Sequence, residues 1–322
     1  MVARRYQALR HDVHAFTTFS FPIRRPRLAA FTVADPYRVP GTYRKGQLHL
    51  HTSNSPDVRE KKPVRETVLA YRRAGYSFVV LTDHDRVTDV AGLADLNTPD
   101  FAVLPGEERT LPVITWPLGR HLLRIGIGRD EVRAVAHPSW GGNLGTGRWS
   151  LKDLLRRRDY QLIEVLNGKS NSTLDFWLWH KVLERRGYAD PVWGIAVDDT
   201  DNAEPIDAGW VMVKTAEVSR EALLAALRRG SFYATNGALA EFGVVDGAIR
   251  AEASAGAWIR FINARNEVVA VFRGDRGEYR PVGDEGFVRV EVESQAGYAA
   301  WSQPFFLIPS DGAAEGGDGR HG

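Results

Sequence analysis

Between about residues 46 and 235, short apolar runs alternate with helix-patterned stretches. The strand candidates are "GQLHLHT" (46–52), "SFVVLT" (77–82), "FAVLPG" (101–106), "HLLRIGI" (121–127), "RAVAHP" (133–138), "QLIEVLN" (161–167), "VWGIAV" (192–197) and "GWVMVKT" (209–215). "PVRETVLAYRRAG" (63–75) predicts a helix: Pro63 suits a first turn, Val68, Leu69 and Arg72 recur at helical spacing, and Gly75 closes it. Further helices are expected at about 150–158, 172–187 and 219–229, with Ser150/Asp153 and Ser172/Asp175 as capping-box starts. Such alternation implies a mainly parallel sheet, open or closed into a barrel. After about residue 238 the period changes to two, in "EFGVVDGAIRAEASAGAWIRFINARNEVVAVFRG" (241–274) and "GFVRVEVESQAGYAAWSQPFFLIP" (286–309), which predicts a small β domain. The division expected is a lead-in segment at 1–45, a catalytic-type domain at 46–238, a β-rich domain at 239–308 and a disordered Gly/Asp-rich tail at 309–322.

Composition narrows the chemistry. The chain has 322 residues, 43% of them hydrophobic, enough for a sizeable core. With 42 basic against 40 acidic residues, bulk charge gives no argument for nucleic acid. No basic patch interleaved with aromatics suggests a nucleic-acid groove either. There is no cysteine, which excludes disulfides, thiolate metal sites and a cysteine nucleophile. No run approaches the roughly 18 continuous apolar residues of a membrane span. The opening "MVARRYQALRHDVHAF" leads into no apolar stretch, so no signal peptide is read and the cytoplasm is the expected location.

Candidate chemistry gathers at the ends of the apolar runs. His49 and His51 lie on alternate positions of one run and so point to one side, where they can grip a single ion. Asp57 follows them. "VVLTDHD" brings Asp83 and His84, "VLPGEERT" brings Glu107 and Glu108, and His121 and His137 flank later runs. "LIEVLNG" supplies Glu164 and Asn167, and "AVDDTD" supplies Asp198, Asp199 and Asp201. In a barrel of parallel strands the C-terminal ends share one face, where active sites are built. Imidazole with carboxylate suits zinc, manganese or iron. His180, inside "FWLWHKVLERRG", reads as structural.

The series "HLHTSNSPD", "LTDHD", "PGEE", "VAHP" and "DDTD" resembles the signature motifs of the PHP (polymerase and histidinol phosphatase) superfamily, in order, over about residues 40–235. "GRHLLRIGI", "EVLNG", "AVDDTD" and the β-rich "GYAAWSQPFFL" look closest to its carbaryl-hydrolase-like branch. The resemblance implies an α/β fold, a distorted seven-stranded β/α (TIM-like) barrel, here followed by the small C-terminal β domain. It implies two or three divalent ions. His49, His51, Glu107 and Asp199 would hold one; Glu107, taken over Glu108 by spacing, would bridge to a second held by His121 and His137; Asp57 and His84 would belong to a third. The family completes that third position with a histidine where this chain has Asp201. Asp57, His84 and Asp201 are the catalytic candidates, whereas Asp83, Glu108, Glu164, Asn167 and Asp198 are expected to support the ligands from behind.

The reaction implied is hydrolysis, with two cations lowering the pKa of a shared bridging water. A phosphoesterase acting on a small phosphorylated molecule or nucleotide is the leading expectation, with Arg109, Arg148 and Lys169 as phosphate contacts. A carboxylic ester, carbamate or amide hydrolase with the same centre is the alternative. A metal-depleted, non-catalytic domain is a third, resting on Asp201. No membrane partner is expected, and the sequence leaves the oligomeric state open.

Overall fold

A computed structural model describes residues 27–58, 61–111, 118–201 and 206–310. The strands of the first half are β1 (Phe31–Val33), β2 (Thr42–Gln47), β3 (Phe78–Leu81), β4 (Ala102–Leu111), β5 (Arg120–Ile125), β6 (Val132–Val135), β7 (Leu162–Asn167) and β8 (Trp193–Val197). Beside a single helical turn at Gly142–Gly145 and a 3-10 segment at Ala91–Leu96, the helices are α1 (Val64–Arg73), α2 (Leu151–Arg156), α3 (Ser172–Arg186) and α4 (Arg220–Arg229). The second half adds β9 (Trp210–Thr215), β10 (Phe232–Thr235), β11 (Ala240–Val245), β12 (Ala248–Asn263), β13 (Val268–Tyr279), β14 (Phe287–Glu293), β15 (Ala299–Trp301) and β16 (Phe305–Pro309).

Neighbouring strands follow the order β1-β16-β14-β15-β10-β9-β2-β3-β4-β5-β6-β7-β8. The pairs β2–β3, β3–β4, β6–β7 and β7–β8 are parallel, as strand–helix alternation demands. β5 departs from that pattern. It runs antiparallel to both neighbours, pairing Leu111 with Arg120 on one side and Leu122 with Val135 on the other. The sheet is therefore mixed, and its path is not a closed ladder. Beyond the end of β8, the chain meets the extension of β2: the Asp199 N–H donates to His49 O (3.1 Å), the His51 N–H donates to Thr200 O (3.1 Å), and Leu50 and Thr200 form an isolated parallel bridge.

Local chemistry explains the helices. Ser150 caps α2 in the expected capping box with Asp153. For α3 the cap is Asn171, not Ser172, and Asp175 turns away to other partners. α1 buries Thr67, Val68 and Tyr71, so the apolar stripe is displaced from the expected Leu69 and Arg72. The main core gathers Val80, Leu104, Leu123, Ile163, Val165, Ile195 and Val197 of the sheet with Trp179, Val182 and Leu183 of α3. A second cluster lies under α1, and a third fills the β-rich half around Tyr37, Ile259, Phe261, Val290 and Phe305.

The two halves are fastened at a distance from the strand ends carrying Asp198 and Asp199. The Gln303 side chain bonds both backbone groups of Gly194, near the start of β8, at 2.9 and 2.7 Å. His180 is buried on α3 with Nε2 3.1 Å from Ala264 O, which agrees with a structural role. Pro309, expected in a disordered tail, closes β16, and residues 311–322 of that tail lie outside the described residues. Among the described residues no helix is long and apolar enough to cross a membrane.

Candidate metal centre

The site is assembled where β2, β3, β4, β5, β6, β7 and β8 end or bend. β2 stops at Gln47 with a bend at Leu48, and the chain pairs again at the isolated bridge of Leu50 with Thr200. Alternation sends His49 and His51 to one side and Leu48 and Leu50 into the core. Gln47 fixes this exit: its Oε1 accepts from the N–H groups of Leu48 (3.0 Å), His49 (3.2 Å) and Asp198 (3.3 Å). Asp83 holds the next turn, accepting from the Thr52 N–H (2.6 Å), from the Thr52 hydroxyl and from Thr88.

Glu108 lies at the centre. Its Oε2 is 3.2 Å from His49 Nε2, 3.2 Å from His51 Nε2 and 3.1 Å from His84 Nδ1. Its Oε1 is 2.9 Å from both His121 Nδ1 and His137 Nε2. Asp199 Oδ1 stands 3.2 Å from His51 Nε2 and 3.4 Å from His49 Nε2. Asp57 Oδ2 lies 3.5 Å from His84 Nε2. Among the described residues, three overlapping trios bring ligand atoms within 4.8 Å of one another: His49/His51/Glu108, His51/Asp57/His84 and His84/Glu108/His121.

Glu107, the acid favoured by spacing, is not in this cluster. β4 runs straight through Glu107 and Glu108, so the two point to opposite faces. Glu107 pairs with Arg124 Nη1 at 2.7 Å on the outer face. Arg109 shares that face by the same alternation and is exposed, away from the imidazoles, which corrects its expected phosphate contact. Arg148 is exposed in the segment after Trp140, and its carbonyl accepts from Arg120 Nε. Lys169 does reach the cluster, with Nζ 3.5 Å from Asp199 Oδ1. Asp201 is half-buried two residues beyond Asp199 and outside the three trios.

Supporting groups fix the imidazoles. Glu164 Oε1 is 2.7 Å from His49 Nδ1, and its Oε2 accepts from the His137 N–H (2.5 Å) and from Asn167 Nδ2 (2.7 Å). Asn167 Nδ2 also donates to Asp199 Oδ2 at 3.0 Å. Ser55 Oγ lies 3.0 Å from His51 Nδ1 and accepts from the His84 N–H at 3.1 Å. Ser55 and Gln47 carry no motif signal, since single serines and glutamines are common on strands and turns. Asp198 faces the other way: it accepts from the N–H groups of Ala208 and Gly209 and from the Tyr71 hydroxyl, pinning the 207–209 segment. His137 (φ 25°) and Asp199 (φ 52°) hold left-handed backbone, at a cost on the order of 1 kcal/mol each.

Electrostatics confirm strong coupling. Burial alone would raise Glu108, yet the surrounding imidazoles, His84 foremost, hold its carboxyl well below the usual range. Asp199 is likewise held low against burial by His49, Lys169 and His51. Burial works against protonating His51, but Asp199 and Glu108 push it up to about 9. For His84 burial wins and the pKa falls. Imidazolium protons and divalent ions are alternative means of balancing the same buried carboxylates. The donor set fits the second means. Glu108 Oε2, His121 Nε2, His137 Nδ1 and Asp57 Oδ1 are buried without a hydrogen bond of proper geometry. His49 Nε2 and His51 Nε2 sit 3.2 Å apart, two nitrogens aimed at one region.

No family model matches the chain, and no curated protein does. Among solved structures, it aligns with a chain from Bacteroides vulgatus described as a two-domain protein containing a predicted PHP-like metal-dependent phosphoesterase. Identity is 15%, coverage is 85% of this chain and 93% of that one, and the TM-score is 0.44. At that level of similarity, functional assignment rests on the geometry of the site.

Proposed function

We propose that the chain is a metal-dependent hydrolase of the PHP type, foremost a phosphoesterase acting on a small phosphorylated molecule or nucleotide. The observation that carries this reading is Glu108, one buried carboxylate bounded by nitrogens of His49, His51, His84, His121 and His137. In this reading His49, His51 and Asp199 would hold one ion, and Glu108 would link them to His121 and His137. Asp57 and His84 would serve a third position, for which Asp201 would be the remaining candidate ligand. β2 to β8 would form the distorted seven-stranded barrel, residues 46–238 the catalytic part, and 239–308 a β-rich appendage.

Zinc, manganese or iron suits the mixed imidazole and carboxylate donors. When bound, such ions supply Lewis acidity and lower the pKa of water. The chain supplies the rest. Glu164 fixes the His49 ring and the His137 backbone together, and Asn167 ties that pair to Asp199. Lys169 places a positive charge beside Asp199, where a phosphoryl oxygen would be received. With no ion at the third position, His84 Nε2, beside Asp57, would instead be placed to pass a proton to the leaving oxygen.

A second reading, cleavage of a carboxylic ester, carbamate or amide, has its own observation in favour. Of the three cations expected to contact phosphate, Lys169 alone is brought to the cluster. Less positive charge suits a neutral carbonyl substrate.

Metal content and turnover decide between them. Purified without chelator, the protein should carry two or more divalent ions per chain and release phosphate from a generic phosphomonoester. His51→Ala should lower turnover by at least about 100-fold. Cleavage of an aryl ester without phosphate release selects the second reading. Less than one ion per chain with no turnover, both restored in Asp201→His, would show an inherited site disabled by Asp201.

A further inference from the structure

Beyond the reacting centre, we propose that Trp140 forms a stacking subsite for a planar, unsaturated ring on the substrate. The inference rests on the hydrolase reading and names the class of group held next to the scissile bond.

Trp140 is positioned by the chain on both sides of its ring. The backbone N–H of Trp140 donates to the His137 carbonyl at 2.9 Å, a tight turn that keeps the residue next to the cluster. The ring centroid lies 4.9 Å from that of His137 and 5.6 Å from that of His121. Those two imidazoles are almost fully buried, whereas Trp140 is half-buried. Trp140 is therefore the part-exposed wall beside these two imidazoles at this end of the centre.

The sequence invests in that placement. After Trp140 comes "GGNLGTG" (141–147). A Cβ at Gly142 would lie 1.9 Å from the indole, and one at Gly147 would lie 2.5 Å from it. Both positions must lack a side chain for the strap to close around the ring. The strap is pinned to β5: the Gly119 N–H donates to Thr146 Oγ1 at 3.0 Å, and Arg120 Nε donates to Arg148 O at 2.9 Å. At its tip Leu144 takes a φ of 67° and is 95% exposed.

Charge falls at the other end. Lys169 is beside Asp199, whereas His121 and His137 meet Trp140, with Glu108 between them. A substrate spanning the centre would put its anionic group toward Lys169 and its ring against the indole.

Paired titrations of the full, metal-loaded chain with phenylphosphonate and methylphosphonate test this by calorimetry. The wild-type protein should bind phenylphosphonate about 10-fold more tightly. Trp140→Leu, which keeps apolar bulk, and Trp140→Ala should both erase that preference while metal content and methylphosphonate affinity hold. Trp140→Phe should keep most of it. A preference that survives in Trp140→Leu overturns the subsite. So does an equal loss for both phosphonates, or loss of metal in all three variants, which would make Trp140 packing for the histidines. Binding of neither phosphonate by metal-loaded wild-type protein would bring down the phosphoesterase reading and the subsite together.

Discussion

Glu107 and Glu108 are neighbours on one strand and have opposite lives. Glu108 is buried at the meeting point of the imidazoles, whereas Glu107, on the outer face, completes an ion ladder with Arg124, which also holds Glu131. A single peptide step separates a group whose charge organises the site from one whose charge is shared with solvent. Residue type is thus a poor guide to role here; the strand's face decides. A third carboxylate extends the contrast. Asp175 is as buried as Glu108, but its partners are the Ser139 N–H and the Ser170 hydroxyl, with no cation facing it. Burial therefore prevails and its pKa is pushed up to about 7. Identical chemistry gives a depressed carboxyl in one pocket and an elevated one in the other.

The comparison breaks most decisively at Glu108. Glu108→Gln keeps the shape and removes the central charge, so bound metal should fall below one ion per chain, and turnover should fall by roughly 1000-fold or more. Metal analysis of the variant checks this, and retained stoichiometry would refute the bridging role. Next in size is Glu164→Gln, which leaves the His49 ring without its carboxylate partner. Metal affinity should fall about 10–100-fold, read by competition with a chromophoric chelator.

Asp175→Asn sharpens the contrast through pH. The folded carboxyl titrates near 7, above its unfolded value of 3.8. The native state therefore keeps its proton longer, and the stability it adds is fully present below the unfolded value and lost as pH rises through about 7. Thermal melts between about pH 4 and 8 should show the variant gaining on the wild type by up to about 4 kcal/mol as pH increases. A difference in Tm that ignores pH would mean that Asp175 does not hold the proton. The smallest effect belongs to Glu107→Gln: metal content unchanged, and stability altered by less than about 0.5 kcal/mol in a denaturant titration.

What was legible in the sequence follows from the same logic. The pair His49 and His51 could be read because period-two alternation fixes a shared side without any knowledge of register. Every histidine of the cluster lay at the edge of an apolar run, so each was visible. Between Glu107 and Glu108 nothing local decides, because a slip of one residue exchanges the two faces and only the pairing of β4 with β5 sets the register. Arg109 was misplaced for the same reason. Gln47 and Ser55 act through backbone and ring contacts across the fold, which leave no local pattern. The antiparallel β5 was hidden because an apolar run has no direction. Asn171 displaced Ser172 as the α3 cap by one position, within the usual uncertainty of helix ends.

The seam between His49, His51 and Asp199 has a consequence for how the chain reaches its native state. His51 and Asp199 are 148 residues apart in sequence, yet they are neighbours across two backbone hydrogen bonds and one isolated bridge. Closing so long a loop costs entropy before its contacts repay it, and contacts of this range slow folding. An ion gripped from both margins would act as a clasp on that late-forming join. Chelation would then reach past chemistry, loosening a junction through which the first and last strands of the series hold each other.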